Sequence, residues 1–124
     1  MVITGGHSGI GLETTRVLAN AGAAVTVGVR NMQKARQNLS GLKNVRCLPL
    51  DLANPASVDA FADTIDAVDI LINNAGIMAV PLMRDARGYE MQFATNHLGH
   101  FQLRQYAIDP TTAKALWDLS EKLL

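Results

Sequence analysis

Four short β-rich runs, separated by stretches of helical periodicity, narrow the possible folds of this chain more than any other feature. Met1–Thr4, Ala24–Val29, Val45–Leu50 and Val68–Ile72 are nearly continuous apolar segments, as expected of strands covered on both faces. After the first run, Ile10, Thr14, Val17, Leu18 and Ala21 fall on one helical face, and Gly22 is placed to end that helix. Asn31 is a candidate cap for a second helix running to about Ser40, with Gly41 as its stop. Asn54-Pro55 starts a third, whose Val58, Phe61, Ala62 and Ile65 keep an i, i+3, i+4, i+7 rhythm. A longer helix is expected over Gly88–Leu103, with Met91, Ala94, Leu98 and Phe101 on one stripe. A last one follows Asp109-Pro110, with Ala113, Leu116, Ser120 and Leu123 on one side and Trp117 as a packing residue. The order βαβαβαβ followed by αα predicts an α/β fold, a doubly wound parallel sheet with right-handed crossovers. The expected strand order is 3-2-1-4, because the chain must cross to the other side of the first strand after the third. That leaves a switch point between strands one and four, where open α/β sheets bind ligands.

Composition excludes several classes of function. The chain has 124 residues, the size of one domain, with 48% hydrophobic and 18% charged residues, so it is a folded globular protein rather than a disordered one. Eleven basic and eleven acidic residues cancel, and no basic stripe marks a nucleic-acid partner. The longest nearly apolar run, Ala75–Met83, is interrupted by Gly76 and Pro81 and is too short to span a bilayer. Motif-bearing sequence from Thr4 onward leaves no room for a signal peptide, so a cytoplasmic location is expected. Cys47 stands alone, which excludes an internal disulfide and a cysteine-rich zinc site. His97 and His100 share a helix face at i, i+3, but no third ligand lies nearby in sequence. Packing or surface roles are the simpler reading, and no metal is expected.

The strongest chemical signal is Thr4-Gly5-Gly6-His7-Ser8-Gly9-Ile10-Gly11, between the first strand and the first helix. Gly5 suits a tight turn out of the strand. Gly9 suits close approach of the backbone to a pyrophosphate, and Gly11 suits close packing of helix on sheet. Free amides at the helix N-terminus, together with the helix dipole, favour an anion there. The spacing G-x-x-x-G-x-G in this context points to dinucleotide binding. Cofactor choice is read after the second strand, where a carboxylate would bond the ribose hydroxyl of NAD. Val25–Asn31 contains no Asp or Glu but does contain Arg30, which could neutralise the 2′-phosphate of NADP. NADP is therefore preferred over NAD.

Four segments taken together resemble the short-chain dehydrogenase/reductase family: Thr4–Gly11, Asp51-Leu52, Asn73-Asn74-Ala75-Gly76 and Asn96-His97-Leu98-Gly99-His100-Phe101, in that order. The resemblance runs from Val2 to about Leu103 and is greatest to the retinol-dehydrogenase-like and WW-domain-oxidoreductase-like branch. It implies a Rossmann-like fold and hydride transfer between a nicotinamide dinucleotide and an alcohol or carbonyl substrate. It also implies that Asp51 bonds the adenine amino group while Leu52 flanks it. Asn73, Asn74, Ala75 and Gly76 would line the ribose and nicotinamide region, and Asn96 would bend its helix and order a water in the family's proton relay.

The same resemblance exposes a gap. The family's chemistry uses a tyrosine with a lysine four residues later, the lysine lowering the phenol pKa, and a serine that orients the substrate oxygen. Here Tyr89 is followed at that spacing by Phe93, and Tyr106 by Pro110. From about Arg104 the sequence resembles the extreme C-terminus of the same branch. The chain thus reads as a dinucleotide-binding half (1–103) joined to a C-terminal tail helix (104–124) within one domain, without the Ser/Tyr-x-x-x-Lys segment. An internal deletion, a segment left out of the sequence and a chance likeness of the tail all remain open. So do three functions: an oxidoreductase, a non-catalytic dinucleotide-binding module and a truncated remnant. A fourth strand left without a neighbour, and the exposed stripe of the Gly88–Leu103 helix, predict a homo-oligomer.

Overall fold

Residues 1–107 are described by the computed structural model. Four strands lie parallel in the order β3–β2–β1–β4, as the alternation predicts: β1 is Val2–Thr4, β2 Val25–Val29, β3 Val45–Pro49 and β4 Leu71–Ile72. Helices α1 (Gly9–Asn20), α2 (Met32–Leu39) and α3 (Pro55–Ala62) make the crossovers. The strand side chains alternate between two cores. Ile3, Val25, Val27 and Val29 pack with Ala19, Ala35 and Leu39 of α1 and α2 on one face. On the other face, Val2 packs with Val58 and Phe61 of α3 and with Leu103. Gly28 makes this second core possible, since a Cβ there would sit 2.6 Å from Leu50 Cδ2 and 3.1 Å from the Phe61 ring.

Local sequence fixes the helix starts. The Asn31 carboxamide accepts a hydrogen bond from Lys34 N at 2.9 Å, and the Asn54 carboxamide accepts one from Ala56 N at 3.1 Å, ahead of Pro55. The first helix departs from its expected face. Gly11, Thr15 and Ala19 are its buried residues, whereas Ile10 is 82% and Val17 64% exposed. Small residues win this face because the helix lies close to the sheet. Thr15 Oγ1 donates to the carbonyls of Gly6 and Gly11 at 2.9 Å each, a reach that larger side chains would prevent.

Two further expectations are corrected. The fourth strand is two residues long rather than Val68–Ile72; only Leu71 and Ile72 pair with β1, and the Ile70 carbonyl adds one bond from Val2 N. The expected Gly88–Leu103 helix begins at Met91 and is not uniform. It comprises α4 (Met91–Phe93), a π turn (Ala94–Leu98) and α5 (Gly99–Ala107). Glu90 caps its start, accepting from Gln92 N and Phe93 N at 2.9 and 2.8 Å. The π turn inserts extra backbone and breaks the predicted stripe. Ala94 stays buried, but Phe101 is half exposed and Leu103 enters the core in its place. Among the described residues no helix is long and apolar enough to cross a membrane. The helix expected after Asp109-Pro110, Trp117, and most of the tail lie outside the described residues.

Candidate functional site

The carboxyl ends of the four strands open onto one cleft of about 390 Å³. Gly5, His7, Ser8, Ile10 and Gly11 form one wall, Arg30 follows β2, Asp51 and Leu52 follow β3, and Asn74, Ala75 and Gly76 follow β4. Four segments far apart in sequence thus meet around a single space, because every strand points the same way.

Thr4 organises the floor without lining the cleft. It is fully buried at the end of β1. Its Oγ1 accepts from Asn74 N at 3.0 Å and Ala75 N at 2.9 Å, and its carbonyl accepts from Asn74 Nδ2 at 2.9 Å. The same Oγ1 lies 2.8 Å from His100 Nε2. Gly5 then turns the chain with φ +66°, a conformation that disfavours a side chain. A Cβ on Gly11 would collide with Asn74 Nδ2 and lie 2.7 Å from the Gly5 carbonyl, so only glycine lets α1 begin this close to the sheet. Ser8 precedes the helix with an extended backbone and makes no side-chain cap, and no acidic residue occupies the first turn. The N-terminal amides of α1 are therefore left to attract an anion from the cleft.

The remaining sequence-selected residues divide clearly. Gly9 stands outside the cleft lining, with nothing within 4 Å of where a Cβ would sit. Asn73 also lies outside the lining, whereas its likewise exposed neighbour Asn74 lines the cleft and bonds the Thr4 carbonyl. Asp51 spends one carboxylate oxygen on Ala53 N at 3.0 Å, while Ser57 Oγ accepts from its amide at 2.9 Å. Asn96 lies in the π turn rather than in the lining. Its side chain clamps Ile77, accepting from the amide at 2.9 Å and donating to the carbonyl at 2.8 Å. Leu50, Ile77 and Thr95 line the cleft without having been selected from sequence, and no local signal in their types marks them. His100, read above as packing or surface, is buried between Thr4 and the Asn96 carbonyl, 3.1 Å from its Nδ1.

Electrostatically the cleft is mixed. Arg30 and Asp51 are its charged lining residues. Burial, and secondarily the Lys34 charge, lower the pKa of His7 below the ordinary histidine value. Neither His7 Nδ1 nor Thr95 Oγ1 has a hydrogen-bond partner among the described residues. Among the described residues, no tyrosine or lysine belongs to the lining. The Tyr106 hydroxyl instead donates to Asp59 at 2.7 Å, which raises its pKa. Among the described residues no group of three His, Cys, Asp or Glu side chains could hold a metal.

Comparison with known proteins agrees with this arrangement. The family model for short chain dehydrogenase matches residues 1–115. A "Probable oxidoreductase" of Streptomyces antibioticus is 51% identical over 110 residues, covering 82% of this chain and 37% of that protein. Retinol dehydrogenase 13 of Homo sapiens is 38% identical over 125 residues, covering 93% of this chain and 38% of that protein. The chain therefore spans well under half the length of these relatives. Among solved structures, an uncharacterised protein from Mycobacterium paratuberculosis superposes with a TM-score of 0.81 at 46% identity, over 85% of this chain and 40% of that one. The RhlG/NADP active-site complex of Pseudomonas aeruginosa gives a TM-score of 0.70 at 28% identity, over 86% and 45%. Sequence and fold lead to the same place: this chain belongs to the short-chain dehydrogenase family.

Proposed function

We propose that the chain is the dinucleotide-binding portion of a short-chain oxidoreductase that takes NADP in preference to NAD and acts on an alcohol or carbonyl substrate. The observation that carries this reading is the cleft itself, where an uncapped helix N-terminus and Arg30 face the Asn74-Ala75-Gly76 segment. The fit is chemical. The α1 amides suit a pyrophosphate, Arg30 suits a 2′-phosphate, Asp51 and Leu52 suit an adenine, and the backbone after β4 suits a ribose and nicotinamide. When bound, the nicotinamide would supply or accept the hydride. The NADP complex of a relative with the same fold adds support for a dinucleotide occupant.

A second reading, binding without turnover by this chain, draws on the tyrosines. Tyr89 and Tyr106 are both outside the cleft lining, and Tyr106 is tied to Asp59 with a raised pKa, the wrong direction for a proton-transfer group. This second reading expects no turnover of the 124-residue chain in an NADPH-linked carbonyl assay, and measurable turnover would refute it. Self-association through the outer edge of β4 or the helix beside it belongs to the same proposal. The half-exposed Tyr89, Phe93 and Phe101 support it, and light scattering tests it.

Fluorescence titration tests the cofactor reading. A charge-assisted contact is worth about 1.5–3 kcal/mol, so Arg30→Ala should weaken NADPH roughly ten-fold or more and leave NADH nearly unchanged. Equal loss for both cofactors, or no binding of either by the parent chain, refutes the reading.

A further inference from the structure

His100 carries a role that none of the motifs assigns, and its bonding determines which nitrogen holds its proton. A hydroxyl has two acceptor sites and one proton to give. Thr4 Oγ1 fills both acceptor sites with the amides of Asn74 and Ala75. Its proton is then directed to the one remaining neighbour, His100 Nε2 at 2.8 Å, and that nitrogen must be bare. On the opposite side of the ring, the Asn96 carbonyl can only accept, so Nδ1, 3.1 Å away, must carry the hydrogen. Two independent partners demand the same neutral form, protonated on Nδ1 alone.

We propose that His100 is a positioning residue for the cleft, a neutral imidazole that ties the π turn to the end of β1 and thereby holds the Asn74–Ile77 wall in place. This role rests on the dinucleotide reading above. The tie works at both ends of that wall. Asn96 fixes Ile77 through its side chain while its carbonyl holds His100. Thr4, its hydroxyl oriented by His100, receives the amides of Asn74 and Ala75. Within the π turn, one residue, Asn96, faces the wall with its side chain and the imidazole with its carbonyl. A second proton on the ring has no place to go, because an Nε2–H would meet an oxygen whose acceptor sites are already filled. Both polar contacts of the ring are uncharged. Among the described residues no charged group contributes to its titration, and burial holds its pKa below the ordinary histidine value.

The test begins with the unmodified 124-residue chain. Nitrogen-15 NMR of its imidazoles should find His100 neutral at pH 7, protonated on Nδ1 and bare on Nε2. The opposite tautomer, or a cation, overturns the proposal. The second measurement is hydrogen exchange at the Ala75 amide. The Asn74 amide is less diagnostic, because it also bonds the Ile72 carbonyl at 3.1 Å. His100→Asn keeps a donor near the Asn96 carbonyl but cannot reach Thr4. It should speed exchange at Ala75 roughly five-fold, the worth of one net hydrogen bond, and weaken NADPH by a similar factor. Val27, in the other core, should be unaffected. His100→Gln restores an acceptor toward Thr4 and should rescue both readouts. Unchanged protection in His100→Asn, or no rescue by His100→Gln, overturns the proposal. If the parent chain binds no dinucleotide, the functional reading fails while the tautomer and the Ala75 exchange still decide the role of His100. If His100→Asn does not fold, the NMR of the parent chain decides alone.

Discussion

Replacing Gly11 with alanine should reverse the usual sign of a helical glycine substitution. In an exposed helix, Gly→Ala stabilises by about 1 kcal/mol through reduced backbone entropy. At Gly11 the new Cβ would lie 2.7 Å from the Gly5 carbonyl and closer still to Asn74 Nδ2. The Gly5 contact is with backbone in a turn at φ +66° and cannot yield by rotating a side chain. Overpacking of this kind costs about 1–3 kcal/mol. Displacing the Asn74 carboxamide also breaks its 2.9 Å bond to the Thr4 carbonyl, worth about 1 kcal/mol. Set against the helix gain, the expected net loss is roughly 1–3 kcal/mol, with a fall in Tm on the order of 4–12 °C for a domain of this size. Gly41→Ala is the control, because nothing lies within 4 Å of its added Cβ. It should be neutral or slightly stabilising. Urea denaturation followed by circular dichroism measures both. Gly11→Ala as stable as the parent protein would refute the claim that close approach of α1 to the β4 segment requires glycine there.

Two other perturbations probe the core and a helix end. Phe61 is 2% exposed and fills the space opened by Gly28, so Phe61→Ala should cost about 3–5 kcal/mol, a large share of a small domain's stability. A loss below about 1 kcal/mol in urea melts would show the second core to be misassigned. Glu90 is held below the ordinary glutamate pKa of 4.5, chiefly by the Gln92 amide and then by that of Phe93. Its stabilising contribution is complete above that ordinary value and is lost as pH falls through the lowered one, so Glu90→Ala should flatten the acid limb of stability against pH. Carbon-13 NMR of the Glu90 carboxyl titrating at or above the ordinary value would contradict this.

Strand order was legible in the sequence because it follows from connectivity, with three crossovers of one hand and a change of direction after β3. The caps at Asn31 and Asn54 were legible because each bonds an amide two or three residues away. The buried face of α1 was not. Apolar counting rewarded Ile10 and Val17, whereas close approach rewarded Gly11, Thr15 and Ala19. The π turn escaped too, since no residue type within it marks it and Ile77, the partner of its Asn96 side chain, lies 19 residues away. In the candidate site, the glycine turn and Arg30 stood out by type and position. Adjacent asparagines could not be told apart in sequence, yet only Asn74 bonds Thr4 and lines the cleft. The place of Thr4 was legible, but its work was not, because its partners are 70 or more residues away along the chain.

Parallel strands also sort the connections of this molecule by what they can tolerate. Strand ends and the segments that leave them carry most of the cleft, at 5–11, 28–30, 50–52 and 74–77. Segments that enter strands, at 21–24, 40–44 and 63–70, contribute nothing to it and lie at the opposite pole. Extra residues, an affinity tag or a fluorescent label inserted at the exposed points of the entering pole, beside Gly22 or Gly41, would lengthen surface turns at small entropic cost. The same insertion at the leaving pole would move backbone groups that no other part of the chain can replace. A library built on this scaffold can therefore vary one end for solubility or attachment while the other keeps its chemistry.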